Sequence, residues 1–219
     1  MTIAQTIRRI EEIGIIPVIR AASVEQARRA VDAISEGGIP IVEITMTVPD
    51  APKIILELVR EYGDKLLTGA GTVLTARSAR ACLDAGAHFL VSPGLSLPIL
   101  EIASKNGVLA IPGALTPTEV MAAMAAGAEL IKIFPCGSAG GPKHIKALKA
   151  PFPQARFIPT GGVSLSNAKE YFAAGAFALG AGADLVDVNA LLQNQPQKIV
   201  ETSKAFAELA RVARIERQN

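Results

Sequence analysis

Lys132 is the one lysine set in the middle of an apolar run, Leu130-Ile131-Lys132-Ile133-Phe134. A run of that kind reads as a strand buried on both faces, where an unpaired ammonium is costly. Burial favours a neutral amine, and a neutral amine is a nucleophile. Two further charges repeat the pattern: Glu43 interrupts Ile39-Pro40-Ile41-Val42-Glu43-Ile44, and Arg20 closes Ile15-Ile16-Pro17-Val18-Ile19. The competing reading is a buried ion-pair network among these three. Against it, Thr45, Thr72, Ser92-Pro93, Thr160 and Gly161-Gly162 fall at comparable strand ends, and an ion-pair network does not require them.

The elements that must position these groups alternate along the chain. Strands are expected at Ile15 to Arg20, Ile39 to Thr45, Leu66 to Gly69, His88 to Val91, Val108 to Ile111, Leu130 to Phe134, Arg156 to Pro159 and Ala176 to Leu179. Helical stretches lie between them, with start signals such as Ser23-Val24-Glu25-Gln26 and Thr116-Pro117-Thr118-Glu119. Helix ends pass into strands through a near-repeat, Glu36-Gly37-Gly38-Ile39, Ala85-Gly86-Ala87-His88, Ala126-Gly127-Ala128-Glu129 and Ala174-Gly175-Ala176-Phe177. Eight βα units argue for a (β/α)₈ TIM barrel with an extra N-terminal helix, in a single domain over residues 1–219. A doubly wound open sheet is the alternative, but Gly69-Ala70-Gly71-Thr72-Val73-Leu74 lacks the third glycine of a dinucleotide fingerprint. In a barrel, residues at the C-terminal strand ends face one site, so Arg20, Glu43 and Lys132 would converge from the first, second and sixth strands.

A second feature is Pro159-Thr160-Gly161-Gly162-Val163, followed by Ser164, Ser166 and a helix beginning near Asn167. Glycines there let backbone N–H groups face an anion, and Gly180-Ala181-Gly182 ends the eighth strand in the same way. Loops after the seventh and eighth strands are the usual phosphate seat of such barrels. Other chemistries find little support. The two histidines, His88 and His144, have no metal-ligand spacing, and no G-x-S-x-G elbow exists. A net charge of +2 and 4% aromatic residues argue against nucleic acid. Cys82 and Cys136 are far apart, which suits a reduced cytoplasm. The start, MTIAQTIRRIEEIGII, is an amphipathic helix rather than a signal peptide, and no apolar stretch approaches a membrane span. A mean hydropathy of +0.35 hints at a buried subunit interface.

A neutral lysine near a carboxylate suits covalent catalysis on a carbonyl, in which the protonated imine accepts electrons from the bond being broken. That combination is what a class I aldolase needs. At this point the chain resembles the 2-keto-3-deoxy-6-phosphogluconate (KDPG) and 4-hydroxy-2-oxoglutarate (KHG) aldolases, through IIPVIRA at 15 to 21, IVEITMTVPDA at 41 to 51, GAGTVL at 69 to 74, FLVSPG at 89 to 94, IPG at 111 to 113, IKIFP at 131 to 135, GPKHIKALKAPFP at 141 to 153 and FIPTGGVS at 157 to 164. The resemblance implies a trimer of (β/α)₈ barrels, without metal or other cofactor, that cleaves a phosphorylated 2-keto sugar acid to pyruvate and D-glyceraldehyde 3-phosphate. It makes Lys132 the Schiff-base lysine and Glu43 the general acid/base. It puts Arg20 and Thr72 near the pyruvyl carboxylate, Pro93 and Phe134 in the pocket lining, and Thr160, Gly161 and Gly162 at the phosphate end, beside the glycine turn Gly180 to Gly182. Two departures stand out: Thr47 occupies a position where some relatives carry arginine, and Ala183 one where relatives often carry serine. The 2-dehydro-3-deoxy-6-phosphogalactonate aldolases share the KIFP and GPxxIKALK pieces and are the close alternative. A sugar-phosphate isomerase or epimerase on the same barrel would use Glu43 for proton abstraction and Lys132 only as a charge.

Overall fold

A computed structural model describes residues 1–218; Asn219, the last position of the expected domain, lies outside the described residues. An amphipathic helix α1 (Ile3–Ile13), capped by Thr2 and Gln5, buries Ile7 and Ile10 and is followed by β1 (Ile15–Ile19). Strands and helices then alternate: α2 (Val24–Glu36), β2 (Ile41–Thr45), α3 (Ala51–Tyr62), β3 (Leu67–Gly71), α4 (Ala76–Asp84), β4 (Phe89–Val91), α5 (Leu97–Lys105), β5 (Leu109–Ile111), β6 (Gly113–Ala114) and α6 (Pro117–Ala125). The second half carries β7 (Ile131–Ile133), α7 (Pro142–Lys149), β8 (Phe157–Pro159), α8 (Ala168–Ala173), β9 (Leu179–Ala181), α9 (Val188–Leu192) and α10 (Gln197–Gln218).

All the ladders are parallel. They form a six-stranded sheet in the order β5-β4-β3-β2-β1-β9 and a three-stranded sheet in the order β6-β7-β8. The strand order runs consecutively from β5 to β1 with no reversal, which rules out the doubly wound alternative. β1, β2 and β3 are buried at every position, as expected of strands covered by helices on one side and core on the other.

Most strands are one or two residues shorter than expected, and three departures go further. The fifth strand ends at Ile111 as expected, but an unexpected two-residue strand, β6, follows it directly beyond Pro112, which has no N–H to donate to a ladder. The chain changes neighbours there: Ile111 O still accepts from Ser92 N at 3.2 Å, while Pro112 O accepts from Lys132 N at 2.9 Å. The third strand continues past Gly69 to Gly71. The last strand begins later than expected, at Leu179, because Ala176 N is still tied back to Tyr171 O as a helix end. Between β8 and β9 the two sheets meet through the single bridge Thr160 to Gly180 and through Phe177 N donating to Phe157 O at 2.8 Å.

Helix starts follow the sequence signals with one change. Thr116 and Glu119 make a complete capping box with Pro117 in the first turn. Ser23 caps α2 through Gln26 N, but the Gln26 side chain returns to Ala22 N rather than to the cap residue. Among the described residues no helix is long and apolar enough to cross a membrane.

Candidate active site

Parallel pairing brings the C-terminal ends of the strands to one edge, and around that edge each strand end touches the next. Thr45 Oγ1, at the end of β2, donates to Ile19 O at 2.9 Å, directly before Arg20. Glu43 lies against Gly71 of β3, and Val73 N, just past β3, donates to Val91 O of β4 at 3.0 Å. The Pro93 carbonyl fills the place where Gly113, the ladder partner of Lys132, would carry a Cβ. Thr160 N then donates to Ile133 O at 2.9 Å. The Phe134 ring packs on Gly161, and a Cβ at Gly182 would stand 3.6 Å from Arg20 Nη1. The residues expected at C-terminal strand ends therefore lie along this rim.

Lys132 and Glu43 are each 3% exposed. Among the described residues neither takes part in an ion pair, and Glu43 Oε1 is buried with no hydrogen-bond partner. The ion-pair reading fails on this point. Lys132 Nζ instead stands 5.1 Å from the centre of the Phe134 ring, close enough for the ring face to stabilise a cation. Fully buried ionisable groups without counter-ions are the arrangement expected of a reactive site rather than of a structural one.

Arg20 differs from its expectation as a buried strand charge. The strand stops at Ile19, and Arg20 is exposed, since a guanidinium strongly favours the wet end of a strand over its interior. Thr72 has φ of 54°. A β-branched residue in the left-handed region is strained, and such strain collects at functional sites. Thr45 spends its one proton on Ile19 O and so accepts from Thr47, whose Oγ1 lies 2.6 Å away.

The turn after β8 is built to present N–H groups. Gly161 and Gly162 both have left-handed φ, of 86° and 77°, which a side chain would strain. The loop after β7 braces this turn through Cys136 N to Thr160 O at 2.9 Å and Gly137 N to Gly161 O at 2.8 Å. Outside the ladders and helices, the N–H groups of Gly162 and Val163, and those of Gly182, Ala183 and Asp184 after β9, make no backbone hydrogen bond to another described residue. Asn167 holds the turn from beyond by donating from Nδ2 to Gly162 O at 2.8 Å.

The histidines and cysteines take no part in the Lys132 and Glu43 surroundings described above. His88 Nδ1 accepts from Thr68 N at 3.1 Å, and burial lowers its pKa below the usual histidine value. His144 Nε2 lies 2.8 Å from Leu115 O, so that nitrogen carries the proton. Cys82 and Cys136 are free and buried, and burial pushes both thiols up to about 11. Sequence reasoning did not single out Gly71 or Gly113. For Gly71 the signal was spacing: Gly69 and Gly71, two apart in a strand, share one face, and that face meets Glu43.

A strand-borne amine and carboxylate, both unpaired, mark an α/β enzyme of carbonyl chemistry. A family profile of the KDPG and KHG aldolases matches residues 6–202. The KHG/KDPG aldolase of Escherichia coli K12 is 33% identical over 198 residues, covering 90% of this chain and 92% of that protein. The 2-dehydro-3-deoxy-6-phosphogalactonate aldolase of the same organism is 34% identical over 198 residues, covering 90% and 96%. Among solved structures, KDPG aldolase from Legionella pneumophila, with pyruvate captured as a covalent carbinolamine, superposes with a TM-score of 0.81 at 31% identity, covering 95% of this chain and 98% of that one. The chain belongs to the KDPG and KHG aldolase family, and it is accordingly a lyase of the class I aldolase type.

Proposed function

We propose that this aldolase cleaves 2-dehydro-3-deoxy-6-phosphogluconate to pyruvate and D-glyceraldehyde 3-phosphate, and 4-hydroxy-2-oxoglutarate to pyruvate and glyoxylate. The observation that carries the reading is the pair of buried, strand-borne, unpaired groups Lys132 and Glu43. Lys132 Nζ adds to the C2 carbonyl to give a carbinolamine, which loses water to a protonated imine. Glu43 takes the C4 hydroxyl proton, the C3–C4 bond breaks, and its electrons move into the imine to leave an enamine and an aldehyde. Glu43 then returns a proton to C3, and hydrolysis of the imine releases pyruvate. The imine is itself the electron sink, so these steps draw on no bound cofactor.

Thr72 and Arg20 are assigned to the pyruvyl carboxylate, with Pro93 and Phe134 lining the pocket. Thr160, Gly161, Gly162 and the turn Gly180 to Gly182 take the phosphate through backbone N–H groups. A phosphogalactonate-series substrate is the second reading, favoured by a relative of that name that matches as long a stretch as the first. The two sheets would act as one closed (β/α)₈ barrel, sealed at Pro112 and at the Thr160–Gly180 bridge, within one domain over residues 1–219. The working form would be a cytoplasmic homotrimer, supported by Leu74, Leu97 and Met121, which are 62%, 59% and 60% exposed on three successive βα units.

Borohydride reduction in the presence of pyruvate tests the chemistry. Mass is expected at Lys132 alone, and Lys132→Ala and Lys132→Arg are expected to abolish both labelling and cleavage, since a guanidinium does not attack a carbonyl. Labelling at Lys143 or Lys146 would sink the assignment. Turnover of the gluconate-series, galactonate-series and unphosphorylated substrates, compared side by side, decides the substrate.

A further inference from the structure

We propose that Gly71 is a positioning residue for the Glu43 carboxylate, with its absent side chain forming the seat in which the carboxylate is held. β2 and β3 pair with Glu43 opposite Gly69 and Thr45 opposite Gly71, so the Glu43 side chain leans one layer along its own strand toward the rim. There a Cβ at Gly71 would stand 1.9 Å from Glu43 Oε1, 2.5 Å from Cδ and 2.6 Å from Cγ. All three nearest atoms belong to Glu43, and contacts that short do not occur for real Cβ atoms.

The way the carboxylate is held matters for its chemistry. Among the described residues Glu43 makes no side-chain hydrogen bond, and its Oε1 is buried without a partner. Its position is therefore set by shape, by the backbone of Gly71 beneath it. A carboxylate anchored by hydrogen bonds would have lone pairs committed to its anchors. One seated against a bare backbone keeps them for a substrate hydroxyl and for the carbon that is reprotonated. Gly69, on the same face one layer down, is filled in the same manner by the Phe89 ring, which would lie 2.2 Å from its Cβ. The Gly69-Ala70-Gly71 segment thus opens two layers, the lower for packing and the upper for the carboxylate.

The inference rests on Glu43 being the acid/base, and the test separates the two. Gly71→Ala is expected to trap pyruvate on Lys132 with borohydride as the unaltered protein does, yet to exchange pyruvate methyl protons with solvent about a hundredfold more slowly or worse. Because Glu43 supplies the clash, Glu43→Ala is expected to raise the melting temperature more in the Gly71→Ala background than in the unaltered protein, and this comparison still decides if the single variant folds poorly. Methyl exchange by Gly71→Ala at the unaltered rate, or a melting gain from Glu43→Ala no larger in the Gly71→Ala background, overturns the seat. If Glu43→Gln keeps full exchange, the acid/base assignment falls while the melting comparison still judges the seat.

Discussion

A lysine and a glutamate buried without counter-ions work against stability, because removing each charge from water costs several kcal/mol unless it is repaid by a partner. Lys132→Met, which keeps the shape and drops the amine, should therefore raise the melting temperature while abolishing turnover, and thermal denaturation with an activity assay checks both. Glu43→Gln should still form the imine but lose cleavage and methyl-proton exchange by roughly 10²–10⁴-fold, followed by NMR in deuterated solvent. At the proposed phosphate end, Ala183 is exposed in the turn after β9. Adding a hydroxyl there with Ala183→Ser should lower KM for a phosphorylated substrate. One hydrogen bond to a charged group is worth about 1.5–3 kcal/mol, so the gain is at most roughly a hundredfold. Turnover of 4-hydroxy-2-oxoglutarate should barely change. The burial of Lys132 and Glu43 was legible in the sequence because each interrupts an apolar run, where a charge is costly without a partner. Gly71 was not, since a glycine at a strand end reads as a stop, and only the neighbouring strand's side chain shows what the missing Cβ makes room for. Arg20 was legible as a charge closing the first strand but not as an exposed one, because a sequence does not say on which side of a strand's last hydrogen bond a residue falls.

Glycine and proline punctuation carried most of what could be read of the elements, and where it misled, the cause was a hydrogen-bond exchange invisible in one dimension. Pro112 looked like the end of a strand and is instead the point where the chain leaves β4 and joins β7. The capping signals survived nearly intact because they depend on residues three apart. The join between β3 and β4 carries a pH dependence of its own. His88 Nδ1 accepts the Thr68 N–H, and burial depresses its pKa in the folded state. The unfolded chain therefore binds the proton first as pH falls, so the stability this residue contributes is complete above about 6.5, the unfolded value, and is lost as pH drops toward the lower folded value. The melting temperature should fall between pH 7 and pH 5, and His88→Asn should flatten that fall; calorimetry at the two pH values measures it.

At the scale of the molecule, the exposed leucines and methionine on successive βα units are the feature most in need of cover. A single charge placed among them, Leu97→Glu, should convert the proposed trimer to monomers in sedimentation velocity without touching the rim residues; an unchanged sedimentation coefficient would locate the interface elsewhere. The parallel α/β architecture itself was legible because helical and strand periods alternate without a break, whereas the division into two ladders depends on Pro112 at one join and on a lone Thr160–Gly180 bridge at the other. The strand order also has a consequence for how the protein is made. β1 is sandwiched between β2 and β9, with Ile15 beside Leu179 and Pro17 beside Ala181. As the chain leaves the ribosome, β2 follows β1 closely, but the other flank of β1 stays unpaired until almost the whole sequence has been synthesised. Unpaired flanks are templates for other chains, and pairings so distant in sequence close slowly. A nascent chain stalled before Leu179 therefore already carries both Glu43 and Lys132, yet it presents them on a sheet still open to its neighbours on the polysome.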